Sequence, residues 1–207
     1  MTRESRFWDR IASKYAAKPV PDAGLYEKKL AATRALLTPD ARVLEFGCGT
    51  GSTAIKLAPH ARSILATDFS ERMIEIARDK AVAEGLENVR FEQVSIEGLQ
   101  ADDCGFDMVL GHSILHLVDD PSAVLAKVHR ILKPKGCFVS STACLADGLR
   151  IFKWIGPPLA ALGAIPKLQV FSRLDLLAMF DRAGFDVETE WQPGARKGIF
   201  LVARKRL

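Results

Sequence analysis

Three glycines and two acids carry the chemistry that can be read directly from this chain. Val43-Leu44-Glu45-Phe46-Gly47-Cys48-Gly49-Thr50-Gly51 sets glycine at every second position after a short apolar run. Glycine there admits positive φ and lets a ligand approach the backbone. The free amides of a helix that follows can receive an anionic group. Asp68 stands 19 residues beyond Gly49, after a second apolar run, where a carboxylate can accept from both hydroxyls of a ribose. Together they describe a site for an adenosine-type ligand; the glycines alone would describe only a tight turn. The G-x-G-x-x-G spacing of dinucleotide sites is not met, because Ser52 stands where the third glycine belongs. No Walker lysine follows, so a triphosphate cradle is unsupported.

Three further groups could move a proton. His112 falls just past a fourth apolar run, His116 one turn beyond it, and Tyr15 in Ala12-Ser13-Lys14-Tyr15 near the start. Each has an alternative as a capping or packing group. His60 and His129 fall on surface-like helical positions. The four cysteines form no C-x-x-C pair and have no histidine at zinc spacing. They read as reduced thiols of a cytoplasmic protein, and no metal site is expected.

Strands and helices alternate around these residues. Strands are expected at Arg42–Phe46, Ser63–Thr67, Val89–Val94, Phe106–Leu110 and Cys137–Ser141. Helices are expected over Ser52–Leu57, from a Ser70 cap to about Glu84, and over Ala123–Leu132 with Pro121 in the first turn. Met73, Ile74, Ala77 and Ala81 keep the spacing of one helical face, and Gly85 stops that helix. Lys133-Pro134-Lys135-Gly136 closes the third. Alternation of this kind implies a parallel, doubly wound sheet. The end differs: a helix over Arg173–Arg182 precedes strands at Asp186–Trp191 and Ile199–Ala203. Their connection is too short for a crossover helix, so they are expected antiparallel. Residues 1–40 read as two amphipathic helices, and 145–171 as an apolar, proline-broken insertion.

Composition sets the outer limits. The 207 residues are 48% hydrophobic and 26% charged, ordinary for a globular domain. Net charge is +4, and Arg204-Lys205-Arg206 alone contributes three positive charges, so nucleic-acid binding is not expected. Residues 1–20 show no apolar signal region, and the uncharged stretch Trp154–Pro166 is too short and too proline-rich to span a membrane.

Val43–Gly51 resembles the first motif of class I S-adenosylmethionine-dependent methyltransferases, of the branch acting on small molecules. Thr67-Asp68-Phe69-Ser70 with Met73 and Ala77 is similar to the second. Phe106-Asp107-Met108-Val109 through Leu115-His116, Ile131–Gly136 and Ala183-Gly184-Phe185 match later motifs in order. The resemblance covers about Phe7 to Ala203. It implies one Rossmann-like α/β domain over 1–207, a seven-stranded sheet of order 3-2-1-4-5-7-6 with the last strand antiparallel, and helices on both faces. It makes 1–40 a helical lid and 145–171 a cap.

The implied cofactor is S-adenosylmethionine, with S-adenosylhomocysteine as product. Gly47, Cys48, Gly49, Thr50 and Gly51 would meet the methionine end, and Glu45 would favour its ammonium. Asp68 would take the ribose. Phe69 and Met73 would lie against adenine. The acid found after the third strand in many relatives is replaced here by Ser95, followed by Ile96 and Glu97. Leu110 and Gly111 would border the sulfonium.

The Asn/Asp-Pro-Pro-aromatic signature of methyltransferases acting on bases or glutamine is missing; Leu110-Gly111-His112-Ser113 stands there. The apolar side chains of 145–171, from Leu149, Ile151, Phe152, Trp154 and Ile155 to Phe171, suit a pocket for a quinone, lipid or aromatic metabolite. They equally suit a cap packed on the core or on a second subunit of a homodimer. With Arg150, Lys153, Lys167 and Arg173 flanking them, they also suit peripheral membrane contact. A nicotinamide-dependent oxidoreductase and a non-catalytic S-adenosylmethionine-binding protein are the competing functional readings. Thermal unfolding separates the first. S-adenosylmethionine or S-adenosylhomocysteine at about a hundred times its Kd should raise the midpoint by roughly 5–10 °C, and NAD or NADP should not.

Overall fold

The computed structural model describes residues 3–148, 152–161, 165–194 and 198–207. They fall into two compact units, Met1–Gln100 and Ala101–Leu207. The strands form a sheet of order β3-β2-β1-β4-β5-β7-β6, the order expected.

In the first unit, helices α1 (Arg3–Ala16) and α2 (Ala23–Arg34) precede β1 (Arg42–Phe46), α3 (Ser52–Leu57), β2 (Ser63–Asp68), α4 (Glu71–Ala83) and β3 (Val89–Gln93). β1 runs parallel to β2 from Arg42 opposite Ser63 to Phe46 opposite Thr67, and β2 runs parallel to β3. Parallel strands are buried on both faces, which explains why Val43, Leu44 and Phe46 are all fully buried, with Glu45 the one polar residue among them. α4 begins where Ser70 Oγ accepts from the Met73 amide at 3.2 Å. It packs through Met73, Ile74, Ala77 and Ala81 and ends at Gly85, whose φ is +64°.

In the second unit, β4 (Phe106–His112), α5 (Pro121–Ile131) and β5 (Leu132–Thr142) are followed by α6 (Phe152–Ala161), α7 (Arg173–Arg182), β6 (Phe185–Trp191) and β7 (Ile199–Lys205). β4 and β5 are parallel; β7 is antiparallel to both β5 and β6. Phe138, Phe180 and Phe185 form the core, with ring centroids 5.5–6.1 Å apart. β6, last in the sheet order, carries Asp186, Glu188 and Glu190 at alternate positions. They are held by Arg206, Arg204 and Arg173 respectively.

Four sequence expectations are corrected. The fourth strand runs on to His112 because Gly111 and His112 pair with Ser140 and Ser141. Gly111 and His112 therefore belong to the strand and not to the loop after it. The fifth strand starts at Leu132, opposite Phe106, and the register then jumps to Cys137 opposite Met108. Lys133–Gly136 is therefore an irregularity within the strand, with Lys135 at φ +61° and Lys133 Nζ held by both oxygens of Asp107 at 2.8 Å. The C-terminal strand reaches Lys205, with Arg204 opposite both Cys137 and Asp186. Pro157 and Pro158 do not break the insertion; both lie inside the ten-residue α6, where neither can donate to the carbonyl four residues back. Leu149, Arg150, Ile151 and Leu162 of the proposed cap lie outside the described residues.

Gly51 fixes the entry to α3. Its φ is +74°, and a Cβ there would meet Phe91 at 2.7 Å and Ala77 at 2.8 Å. Gly51→Ala should destabilise the protein by about 2–4 kcal/mol, measured as a fall in the urea midpoint at unchanged slope.

Candidate functional site

The loop after β1 is built on left-handed backbone: Gly47, Gly49 and Gly51 have φ of +63°, +53° and +74°. A side chain at any of them would be strained. Two groups hold this shape. Asp68, at the end of β2, accepts from the Gly49 amide through Oδ2 and from the Ser70 amide through Oδ1, both at 2.9 Å. Lys80 reaches from α4 to donate to the carbonyl and hydroxyl oxygens of Thr50 at 3.2 and 3.0 Å and to Ser52 Oγ at 3.4 Å. Desolvation lowers the Lys80 pKa. Nothing in the sequence pointed to Lys80, because it meets the loop only once β2 and α4 have folded back.

Glu45 lies beneath the loop, 3% exposed. Its carboxylate accepts from the Ala54 amide, while Oε2 has no hydrogen-bond partner among the described residues. Burial pushes the Glu45 carboxyl up to about 8; the Ala54 bond opposes this and the Asp68 charge adds to it. Burial also raises Asp68, with the Ser70 and Gly49 amides opposing and the charge of Asp9 adding. The Cys48 thiol is pushed well up by burial and then by the Glu45 and Asp68 charges, so it stays a neutral thiol.

The N-terminal helices bring a tyrosine each. Tyr15 of α1 comes within 4.0 Å of where a Cβ on Gly49 would lie. Its hydroxyl pKa is raised by burial and by Asp68. Tyr26 of α2 is 3.4 Å from Thr53 Oγ1; burial raises its pKa against the Thr53 bond, and Glu45 adds to the rise. Tyr26 and Thr53 carried no motif and were not anticipated. Met73 is core, 2% exposed, whereas Phe69 is half-buried. The Ser95 hydroxyl accepts from the Gly98 amide at 3.2 Å and its carbonyl from Leu99, so it closes a turn. Ile96 is buried and Glu97 exposed.

In the second unit, Leu110 and Gly111 are buried in β4. The ring of His112 stacks on Phe200 at 6.5 Å, and Phe200 on Trp191 at 4.8 Å. His116 follows the buried Leu115; its Nδ1 is buried without a hydrogen-bond partner among the described residues. Desolvation lowers its pKa to about 4, so the ring is neutral. The return of the insertion is tied beside it: the Gln169 amide donates to the His116 carbonyl at 2.8 Å, and Gln169 Nε2 to the Asp119 carbonyl at 2.8 Å. Trp154 of α6 is 80% exposed. No described helix is long and apolar enough to cross a membrane.

Residues 37–161 match the sequence profile of a methyltransferase domain family. The chain belongs to that family. Its fold is that of class I S-adenosylmethionine-dependent methyltransferases, and S-adenosylmethionine is the cofactor of such a domain. The uncharacterized methyltransferase YcgJ of Bacillus subtilis is 35% identical over 98 residues, 47% of this chain and 39% of that protein. The tRNA 5-carboxymethoxyuridine methyltransferase of Escherichia coli is 34% identical over 97 residues, 46% of this chain and 37% of that protein. The match to these two spans about two-fifths of their length. The ubiquinone biosynthesis O-methyltransferase of Nitrosococcus oceani is 29% identical over 163 residues, 78% of this chain and 66% of that protein. The crystal structure of YcgJ shares the fold with a TM-score of 0.71 at 19% identity, covering 87% of this chain and 99% of that one. The antiparallel β7 and the family together set the nicotinamide reading aside.

Glu45 gives the site a pH dependence. With its carboxyl at about 8 when folded and near 4.5 when unfolded, the folded state binds the extra proton between those values. Stability of the ligand-free protein should therefore fall as pH rises from about 5 to 8, by an amount of the order of a few kcal/mol. Glu45→Gln should flatten that profile in denaturant titrations across the range.

Proposed function

We propose that the protein transfers a methyl group from S-adenosylmethionine to a small, apolar or aromatic acceptor such as a quinol, a lipid or an aromatic metabolite, and that 1–207 acts as one methyltransferase domain with 1–40 as lid and 145–171 as acceptor cap. The observation that carries the cofactor half is the Glu45–glycine loop–Asp68 arrangement. A buried carboxylate with an unpartnered oxygen is costly unless a proton or a cation meets it; the ammonium of the cofactor is such a cation. Asp68 accepts from the Gly49 amide of the loop and from the Phe69 and Ser70 amides at the start of α4, and two carboxylate oxygens have about four acceptor positions, so one is left for a ribose hydroxyl. The half-buried Phe69 offers an apolar face to adenine.

When bound, the cofactor supplies an electrophilic methyl carbon on positive sulfur, so the protein's task is chiefly to hold the acceptor in line and exclude water. A base is needed where the acceptor carries a proton, as a phenol does. His116 is the candidate for that on position and on its unpartnered buried Nδ1; the desolvation that keeps its ring neutral also makes it a weaker base in the ligand-free protein. His112, stacked on Phe200 within β4, is suited to orienting an aromatic acceptor. Two points favour a small acceptor over RNA. The match to the ubiquinone O-methyltransferase reaches over 78% of the chain, against 46% for the tRNA enzyme. Basic side chains of the second unit are also engaged: Arg204 by Glu188, Arg206 by Asp181 and Asp186, and Arg130 of α5 by Asp103.

Asp68→Ala should weaken S-adenosylhomocysteine binding by about 1–3 kcal/mol in calorimetry; unchanged affinity in a folded variant removes the ribose role. A methyl-transfer screen should yield turnover with quinols or other phenols and none with unmodified tRNA. With such an acceptor, His116→Ala should keep cofactor affinity within about twofold and lower kcat at least about tenfold. Full turnover would assign His116 to packing.

A further inference from the structure

We propose that Asp9 is a positioning residue that latches α1 over the glycine loop, and that the latch sets how fast the cofactor leaves. The inference rests on the cofactor reading above. Asp9 Oδ1 accepts from Ser70 Oγ at 2.6 Å and from the Arg72 amide at 3.2 Å. The donors are the cap of α4 and its second residue, at the amide-rich end that favours a carboxylate. Ser70 is thus used twice over: its oxygen accepts from Met73 inside α4 while its hydrogen goes to Asp9 on another helix. The Ser70 amide is in turn held by Asp68, and the other oxygen of Asp68 holds Gly49. An unbroken path of hydrogen bonds therefore runs from α1 through Asp9, Ser70 and Asp68 to the loop.

Along α1, Asp9 and Tyr15 are the two ends of one lever. Ala12, fully buried, lies between them, and Tyr15 reaches the Gly49 position. Trp8 sets its ring edge-on to Tyr15 at 6.5 Å and to Phe7 at 5.4 Å, which stiffens the exposed side. Apolar anchoring is thin: among the described side chains of α1, only Ser5 and Ala12 are buried, and both are small. The two bonds to a charged acceptor are therefore a large share of what keeps α1 in place. Bonds of that kind shift an open–closed balance by about 10- to 100-fold.

The test compares wild type, Asp9→Ala and Asp9→Asn as full chains. Amide hydrogen exchange over residues 3–16 is read without ligand, and the dissociation rate of S-adenosylhomocysteine by stopped flow. Asp9→Ala should speed both by about tenfold or more, and Asp9→Asn, which keeps an accepting oxygen, by less. KM for S-adenosylmethionine should rise in step while kcat stays within about twofold. A folded Asp9→Ala protein with wild-type α1 exchange and wild-type dissociation overturns the latch. If the alanine variant fails to fold, Asp9→Asn carries the same comparison. A wild-type protein that binds neither S-adenosylmethionine nor its product overturns the cofactor reading and the rate claim with it, while α1 exchange still decides the latch.

Discussion

A carboxylate that carries two backbone amides cannot shift without releasing both, and Asp68 stands in that position. One oxygen fixes Gly49 in a loop that only glycine tolerates, and the other fixes the residue that starts α4. The end of β2, the loop after β1 and the first turn of α4 are therefore one rigid corner. Lys80 braces the far side of the same loop through Thr50 and Ser52. Much of the geometry that a cofactor would meet is in place before it binds, which lowers the ordering cost of binding.

Electrostatics give that corner its preference. Glu45 and Asp68 are both largely removed from water and each raises the pKa of the other's neighbourhood: Asp68 acts on Glu45 and Tyr15, and Glu45 on Tyr26 and Cys48. Two acids held close in a medium of low dielectric favour a ligand bearing positive charge. S-adenosylmethionine carries two cationic centres, whereas the nicotinamide dinucleotides bring a pyrophosphate. The chemistry of the donor set and the family membership thus agree.

The corner was legible in the sequence because it is local. Glycine spacing, an acid at the next strand end and a serine cap all sit within 24 residues, from Gly47 to Ser70, and each leaves its own compositional mark. The antiparallel C-terminal pair followed from its short connection, and the strand order from the family resemblance that the ordered motifs carry. What stayed hidden depends on distance. Asp9 meets Ser70 across 61 positions and Lys80 meets Thr50 across 30, and neither residue type is unusual on a helix. The errors in local structure have a similar origin. Lys-Pro-Lys-Gly reads as a turn, yet the pairing of Leu132 with Phe106 draws it into β5. The proline pair reads as a break, yet α6 continues through it.

β6 has a consequence outside the active region. It ends the sheet, and an end strand offers unpaired backbone to any other extended chain. Here acids at 186, 188 and 190 recur along it, each already matched to an arginine of its own chain. A second copy approaching with the same strand would set acid against acid at close range. The border of the sheet is in this sense guarded against fibre-like growth by its acids, and the arginines that hold those acids in place are lent by α7, β7 and the residue that follows β7.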